Sequence, residues 1–387
     1  MSAVAQATDG AAVDREELLA RVAALAPLIE AKAAESEAIG TLAPDVVAAF
    51  REAGLFGLWS AREVGGFDIG LADQLEILVA VARADMAACW SLMISASGSA
   101  VMAARLPDEG IARLFGDGPW PTAASSLTPG GKARRTAGGY RVSGRWGFGS
   151  GIRHARGVMA NCQVEEAVAG GAQQVSAFVP IEQVEILDDW QVAGMRGTGS
   201  NSYVVDDVFV PDDFVAIVRP LTVLRGGARA ANQHLRLPIE HGAVALGGAR
   251  RALDEVTRQA VSKRRLVETR TVADTQFFQV ELGRMEAQYA ALLAGTRGAA
   301  EAFDQALDGV PDILAAAAVF LRAMCAHATE GAQAIVGRCL RQAGAGAIMP
   351  GNPLERLQRD MTVAAQHYMI ADSAYENLAK IRLDVAP

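Results

Sequence analysis

Two short stretches hold the side chains best suited to chemistry. In Gly144-Arg-Trp-Gly-Phe-Gly-Ser-Gly-Ile-Arg-His-Ala155, Trp146 and Phe148 stand two residues apart. On a strand that spacing aims both rings at one face of the sheet. The small Gly149-Ser150-Gly151 turn behind them lets backbone N–H groups and the Ser150 hydroxyl approach a flat heterocycle, although the same pattern also suits an aromatic pair that packs a β core. Near the other end, Asp360 and His367 lie seven apart, a shared face if one helix carries both, and an imidazole there can exchange protons near neutral pH. Glu376 follows Tyr375 and is the rival base; Lys380 four residues on makes it read instead as a solvent-facing ion pair. Of the remaining histidines, His154 follows the glycine turn and His241 and His234 flank the start of the last region. His327 sits on an Ala-rich run that reads as a packing helix. Cys89, Cys162, Cys325 and Cys339 are scattered, without metal-ligand or redox spacing, and read as buried reduced thiols of a cytoplasmic protein.

The elements that must position these groups fall into three regions. Apolar residues recur at three and four from about Arg15 to Phe115, as in Leu18, Leu19, Val22, Leu25 and Leu28, which predicts helices. Gly and Pro then punctuate short β-rich runs at Tyr140–Trp146, Val158–Val164, Val175–Val179 and Tyr203–Val210. Helical periodicity returns with runs at 243–264, 275–309, 313–342 and 356–382. The expected division is a tail over 1–14, a helical domain over 15–118, a β domain over 119–233 and a helical bundle over 234–387. Segregated helices and strands argue for α+β organisation rather than an alternating doubly wound sheet. No glycine-rich dinucleotide fingerprint follows a strand; Gly247-Gly248 lies in a helical run and reads as a helix-packing site.

Composition narrows the function classes. With 36 basic against 44 acidic residues among 387, the chain carries a formal charge of −8, which argues against nucleic acid or an anionic membrane surface as the main partner. The first residues lack a basic segment followed by an apolar one, so no signal peptide is expected. Met86 to Ala104 runs uncharged for nearly a membrane-spanning length, yet its serines and the helical pattern it continues read as a helix buried in a bundle.

The run Trp190-Gln-Val-Ala-Gly-Met-Arg-Gly-Thr-Gly-Ser-Asn-Ser-Tyr-Val-Val-Asp-Asp-Val-Phe-Val-Pro211 resembles the middle-domain signature of the acyl-CoA dehydrogenase superfamily. Gly54-Leu-Phe-Gly-Leu58, Glu63-Val-Gly-Gly-Phe67 and Pro353-Leu-Glu-Arg-Leu-Gln-Arg-Asp360 extend the resemblance over nearly the whole chain. It implies an N-terminal helical domain, a central β-barrel or sandwich and a C-terminal four-helix bundle. The stretch Gly144 to Ala155 resembles, within that superfamily, the two-component flavin-dependent monooxygenases. Acyl-CoA dehydrogenases carry a glutamate base in a Tyr-Glu-Gly-Thr context after the Arg-Asp pair, and none follows Arg359-Asp360 here. The oxygenase branch has a histidine where this chain has His367.

The resemblance implies an enzyme that takes reduced flavin, FMNH2 or possibly FADH2, from a separate NAD(P)H-dependent reductase. It would form a flavin C4a-hydroperoxide with molecular oxygen and pass one oxygen atom to a small organic substrate. His367 and Ser150 are the implied catalytic pair, with Ser125, Ser126, Trp146, Phe148, Gly149, Ser150 and Arg265 or Arg270 holding flavin. Ser97, His154 and His241 are candidates for the substrate pocket, and no metal is implied. Phenol hydroxylases of this branch draw a second histidine from the N-terminal helix, but Trp90 to Ala100 has none, so N-oxygenation or another target is favoured over phenolate chemistry. A flavin phosphate bound across subunits implies a homotetramer. Two other readings remain: an acyl-CoA dehydrogenase with FAD and a displaced carboxylate base, and a catalytically silent flavin-binding scaffold.

Overall fold

The computed structural model describes residues 14–116, 120–126, 128–167, 170–264 and 268–385. Five helices come first: α1 (Arg15–Ile39), α2 (Pro44–Glu52), α3 (Leu71–Ala84), α4 (Met86–Arg105) and α5 (Asp108–Phe115). Asp14 and Asp85 cap α1 and α4 by accepting backbone N–H groups of their first turns, which satisfies donors that a helix start otherwise leaves unpaired. α4 is the uncharged stretch. It is buried along most of its length and packs on α3, as a core helix does.

The middle region is one eight-stranded sheet: β1 (Ala123–Ser125), β2 (Gly131–Thr136), β3 (Gly139–Gly149), β4 (Gly157–Glu165), β5 (Gln174–Pro180), β6 (Glu185–Ile186), β7 (Asn201–Pro211) and β8 (Val215–Arg219). Strands run in the order β6-β7-β3-β2-β4-β5-β8, with β1 beside β4. Its inner face buries Val142, Trp146, Val158, Val175, Tyr203 and Val205. All four strands expected from alternation are present, and β1, β2, β6 and β8 are additional. β2 lacks an apolar alternation in sequence because Lys132, Arg134 and Arg135 give it a charged outer face.

Seven helices close the chain: α6 (Gly227–Ala231), α7 (Gln233–Arg236), α8 (Pro238–Ala260), α9 (Gln276–Ala306), α10 (Pro311–Ala343), α11 (Pro353–Ala364) and α12 (Ser373–Leu383). Helix resumes at Gly227, so the expected boundary at 233 falls within this helical segment. The glycine pair in α8 does what helix packing requires. A Cβ on Gly247 would lie 2.4 Å from Ala82 Cβ, and one on Gly248 2.5 Å from Met86 Sδ, so only glycine lets α8 approach α3 and the start of α4 this closely.

The last expected helix, 356–382, is broken. α11 ends at Ala364, and His367 has extended backbone and caps a 3-10 turn over Tyr368–Ile370. Asp360 and His367 therefore do not share a helix face. The Asp360 carboxylate turns to the Met195 N–H, 2.5 Å away, while the His367 ring turns to α4 and α8.

Candidate functional site

Strand β3 decides where the first set of candidates points. A bulge lies between Val142 and Gly144, a second irregularity lies between Trp146 and Gly149, and Phe148 has φ of 60°. A bulge shifts the alternation of faces, and a left-handed residue turns the chain again. Trp146 is thus 1% exposed inside the sheet core, whereas Phe148 is 75% exposed. This corrects the expectation that the two rings share a face. Trp146 stacks on Tyr203 at 5.2 Å, donates Nε1–H to the Asn161 carbonyl, and covers Gly131 and Gly144, where a Cβ would collide with its ring. Buried this way it has no open face for a ligand, and the glycines beneath it serve its packing. Phe148 keeps an open ring edge-on to Trp190.

Ser150 follows Phe148 on the turn to Gly151, which has φ of 74°, and its hydroxyl is buried in a hydrogen-bonded row. Trp90 of α4 donates Nε1–H to Ser150 Oγ at 3.2 Å. Ser150 Oγ lies 2.7 Å from Ser200 Oγ, which lies 2.7 Å from Thr198 Oγ1, and Thr198 donates to the Met195 carbonyl at 2.8 Å. The Ser150 N–H is spent on the Phe148 carbonyl. Neither the backbone donor nor the hydroxyl proton of Ser150 is therefore free, which corrects the expectation of free donors at this turn.

The same Trp90 ring meets two histidines. It lies 4.9 Å from the His241 ring and 5.7 Å from the His367 ring, and those imidazoles stack at 3.8 Å and 21°. Burial holds His367 down at about 4. Burial, with His367 as a smaller contribution, holds His241 well below its usual value. Both rings are neutral near pH 7, and two stacked imidazolium ions would repel one another. Met369 N–H donates to His367 Nδ1 at 3.4 Å, which places the proton of the neutral ring on Nε2. Among the described residues, His241 Nδ1 is buried without a partner. His367 also lines a cavity of about 470 Å³ with Thr329, Glu330, Gln333, Gln366 and Asp372, a volume suited to a small ligand.

One turn of polar chemistry lies deeper. Ser97, seven residues after Trp90 on the same face of α4, donates to Glu240 Oε1 at 2.7 Å and accepts from Trp59 Nε1 at 3.2 Å. Glu240 is the neighbour of His241 on α8. Burial raises its carboxyl to about 8, with Ser97, Arg236 and Gln74 pulling the other way.

The remaining candidates are spread more widely. His154 bonds Thr41 Oγ1 through Nδ1 at 3.4 Å, its Nε2 is buried without a partner among the described residues, and burial, helped by Arg51, holds it down at about 4. It lies beside Gly151 and Ser95 rather than at the histidine pair. Asn161 Nδ2 donates to the Ser126 carbonyl at 2.6 Å and reaches Ser125 Oγ at 3.5 Å, while the Gly149 backbone packs against Tyr203. Arg270 is paired with Glu268 at 3.3 Å, and Arg265 lies outside the described residues. Glu376 is exposed and paired with Lys380 at 2.8 Å, as its spacing suggested. His327 is exposed rather than packed.

Trp90, Glu240, Thr198 and Ser200 were not singled out from sequence as site residues. The one available signal was Glu240-His241, two polar residues inside the apolar run Pro238 to Leu246. The histidine that stacks on His367 is the pocket candidate His241, which comes from α8.

Residues 239–372 match the family model for the acyl-CoA dehydrogenase C-terminal domain. The chain is 28% identical to an indole-3-acetate monooxygenase of Pseudomonas putida over 86% of its own length and 85% of that protein's. It is also 28% identical to the oxygenase subunit of a flavin-dependent monooxygenase of Rhodococcus jostii, over 90% and 93%. Among solved structures it is similar to XiaF from Streptomyces in complex with FADH2 and glycerol, with a TM-score of 0.83 and 25% identity over 96% of both chains.

Proposed function

The chain belongs to the acyl-CoA dehydrogenase superfamily, in its branch of flavin-dependent monooxygenase oxygenase components, and on that footing we propose how its own residues serve the reaction. The protein is a reduced-flavin-dependent monooxygenase. The substrate class we infer is a small aromatic compound with an ionisable O–H or N–H. The observation that carries this reading is the convergence on Trp90, whose indole joins the Ser150 hydroxyl of the β domain to the stacked His241 and His367 of the C-terminal bundle.

The residues present fit a flavin ring. Phe148 offers an open aromatic surface, Ser150 keeps an acceptor lone pair, and His241 has an unpartnered buried nitrogen. When bound, reduced flavin supplies the electrons that activate molecular oxygen. The Ser125–Ser126 segment, held by Asn161, and the Phe148–Gly149–Ser150 turn form the flavin-facing wall. His367 Nε2–H is the donor directed at the reacting oxygen. His241 accepts the substrate's proton through Nδ1; its depressed basicity keeps it neutral and ready to accept at pH 7. Buried apolar walls from α4 and α8 exclude water from the exchange.

The dehydrogenase reading loses its base, because the Glu376 carboxylate is solvated and ion-paired. A separate NAD(P)H-dependent reductase supplies the flavin in this proposal. A homotetramer is supported by exposed apolar side chains on the outer bundle, Phe277 and Val280 of α9 and Ile313 and Phe320 of α10, which an isolated chain leaves in water. Arg270 is the proposed phosphate contact across that interface.

The deciding experiment is an anaerobic titration with photoreduced FMN and FADH2, followed by mixing with oxygenated buffer and an indole or a phenol. Binding of reduced flavin and a hydroxylated product support the reading. A tightly held oxidised FAD that is bleached by acyl-CoA would overturn it.

A further inference from the structure

Hydroxyl rotors leave the direction of a hydrogen bond open, but the row at Ser150 has fixed ends that determine it. Indole N–H can only donate, so Ser150 Oγ accepts from Trp90. At the far end a carbonyl can only accept, so the one Thr198 hydroxyl proton goes to the Met195 oxygen. Thr198 Oγ1 must then accept from Ser200. Ser200 has spent its proton, so it accepts from Ser150. Ser150 has now given its only proton and used one of two acceptor positions. What it can still present to a ligand is one lone pair, and no donor.

Met195 is itself held. Its N–H is bonded to buried Asp360, and it has φ of 55° in a loop whose Gly194 lies where a Cβ would be 2.2 Å from the Arg359 carbonyl. The anchoring carbonyl therefore cannot turn away without separating the loop from α11. Oxidised flavin carries a bare lone pair at N5, whereas the reduced ring carries a hydrogen there. An acceptor-only Ser150 turned to that nitrogen would pair with the second and would face the first lone pair to lone pair.

We propose that Thr198 and Ser200 are positioning residues that lock Ser150 as an acceptor, so that the site selects flavin by the hydrogen on N5. The inference rests on the reading above that the Ser150 turn faces the flavin ring. It assigns the redox preference to two hydroxyls deep in the β domain.

The test compares dissociation constants for oxidised FMN and, anaerobically, for photoreduced FMN in the wild type and in Ser200→Ala, Thr198→Val, Ser150→Ala and Trp90→Phe, with circular dichroism to verify folding. The wild type should favour reduced FMN, and Ser200→Ala should lower that preference about tenfold by tightening the oxidised form, because Ser150 then has a proton to give. Thr198→Val should act alike, since Ser200 is then free to donate back to Ser150. Ser150→Ala should lower the preference by weakening the reduced form instead. Trp90→Phe, which only empties a second lone pair, should leave the ratio within about twofold. Equal ratios in the wild type and Ser200→Ala, or a Trp90→Phe effect as large as that of Ser200→Ala, would overturn the inference while leaving flavin binding intact. Failure of the folded wild type to bind either form would instead remove the reading on which it rests.

Discussion

The two walls of the site handle protons in opposite ways. On the β side, the hydroxyl protons of Ser150, Ser200 and Thr198 are committed along one row that ends on a carbonyl. On the bundle side, His241 Nδ1 has no partner among the described residues and the stacked imidazoles are held neutral. A committed row recognises a ligand by fixed polarity; an open pair can take up or release a proton during turnover. On the proposed reading, orientation and acid–base work fall to separate domains, and Trp90 touches both.

The largest expected break of this contrast is His367→Ala, which removes the directed donor but none of the β row. Coupled product formation should fall about a hundredfold, with hydrogen peroxide released instead, while reduced-flavin affinity changes little. Product yield and peroxide measured together check this, and an unchanged yield would end the role assigned to His367. His241→Leu should follow at about tenfold to a hundredfold. Its loss should be smaller for a substrate supplied already ionised at high pH, which a purely structural histidine would not produce.

Gly194→Ala tests the joint that carries both walls. The added methyl meets the Arg359 backbone, and relief of that overlap should cost about 1–3 kcal/mol in chemical denaturation. The same change in open Gly138 on the β2–β3 turn cannot serve as a control, because its φ of 77° penalises alanine by itself. Gly283, which has open space around it, can.

The smallest effect separates the buried acids from the histidines by pH. Glu240 is raised to about 8 and Asp360 to about 7 in the fold, chiefly by burial. The folded chain thus holds protons that the unfolded chain has lost, and their contribution to stability falls as pH rises from about 4 to about 7 or 8. His367 has the opposite sign: its contribution is present above about 6.5 and is lost as pH falls to about 4. Melting temperature followed from pH 5 to 8 should fall less steeply in Glu240→Gln than in the wild type. An identical slope would mean that Glu240 is ionised throughout.

Much of the architecture was legible because it rests on local periodicity. Leu18 and Val22 of the periodic set mark the buried face of α1, and Tyr140, Val142 and Trp146 mark the inward positions of β3. Gly247-Gly248 could be read as a packing site because no strand precedes it. His367 is legible through the Arg359-Asp360 context, but its orientation is not, since the helix stops at Ala364 and nothing local forces that stop. Glu240 is not legible in sequence, because a single carboxylate on a helix is ordinarily solvated and this one is buried beside Ser97, Gln74 and Arg236, all distant from it or on other helices.

By itself the sequence determined the segregation of helices and strands, the glycines that permit close approach, and the residue types available for chemistry. Those follow from side-chain volume, periodicity and backbone freedom, which are properties of neighbouring residues. Only the tertiary structure decided that Trp146 is core while Phe148 is open, that His241 rather than a residue of α4 completes the histidine pair, and which way the Ser150 proton points. Each of these is set by a partner distant in the chain, Tyr203, Trp90 or the Met195 carbonyl, and the orientation of a ring or a hydroxyl is fixed only when that partner arrives.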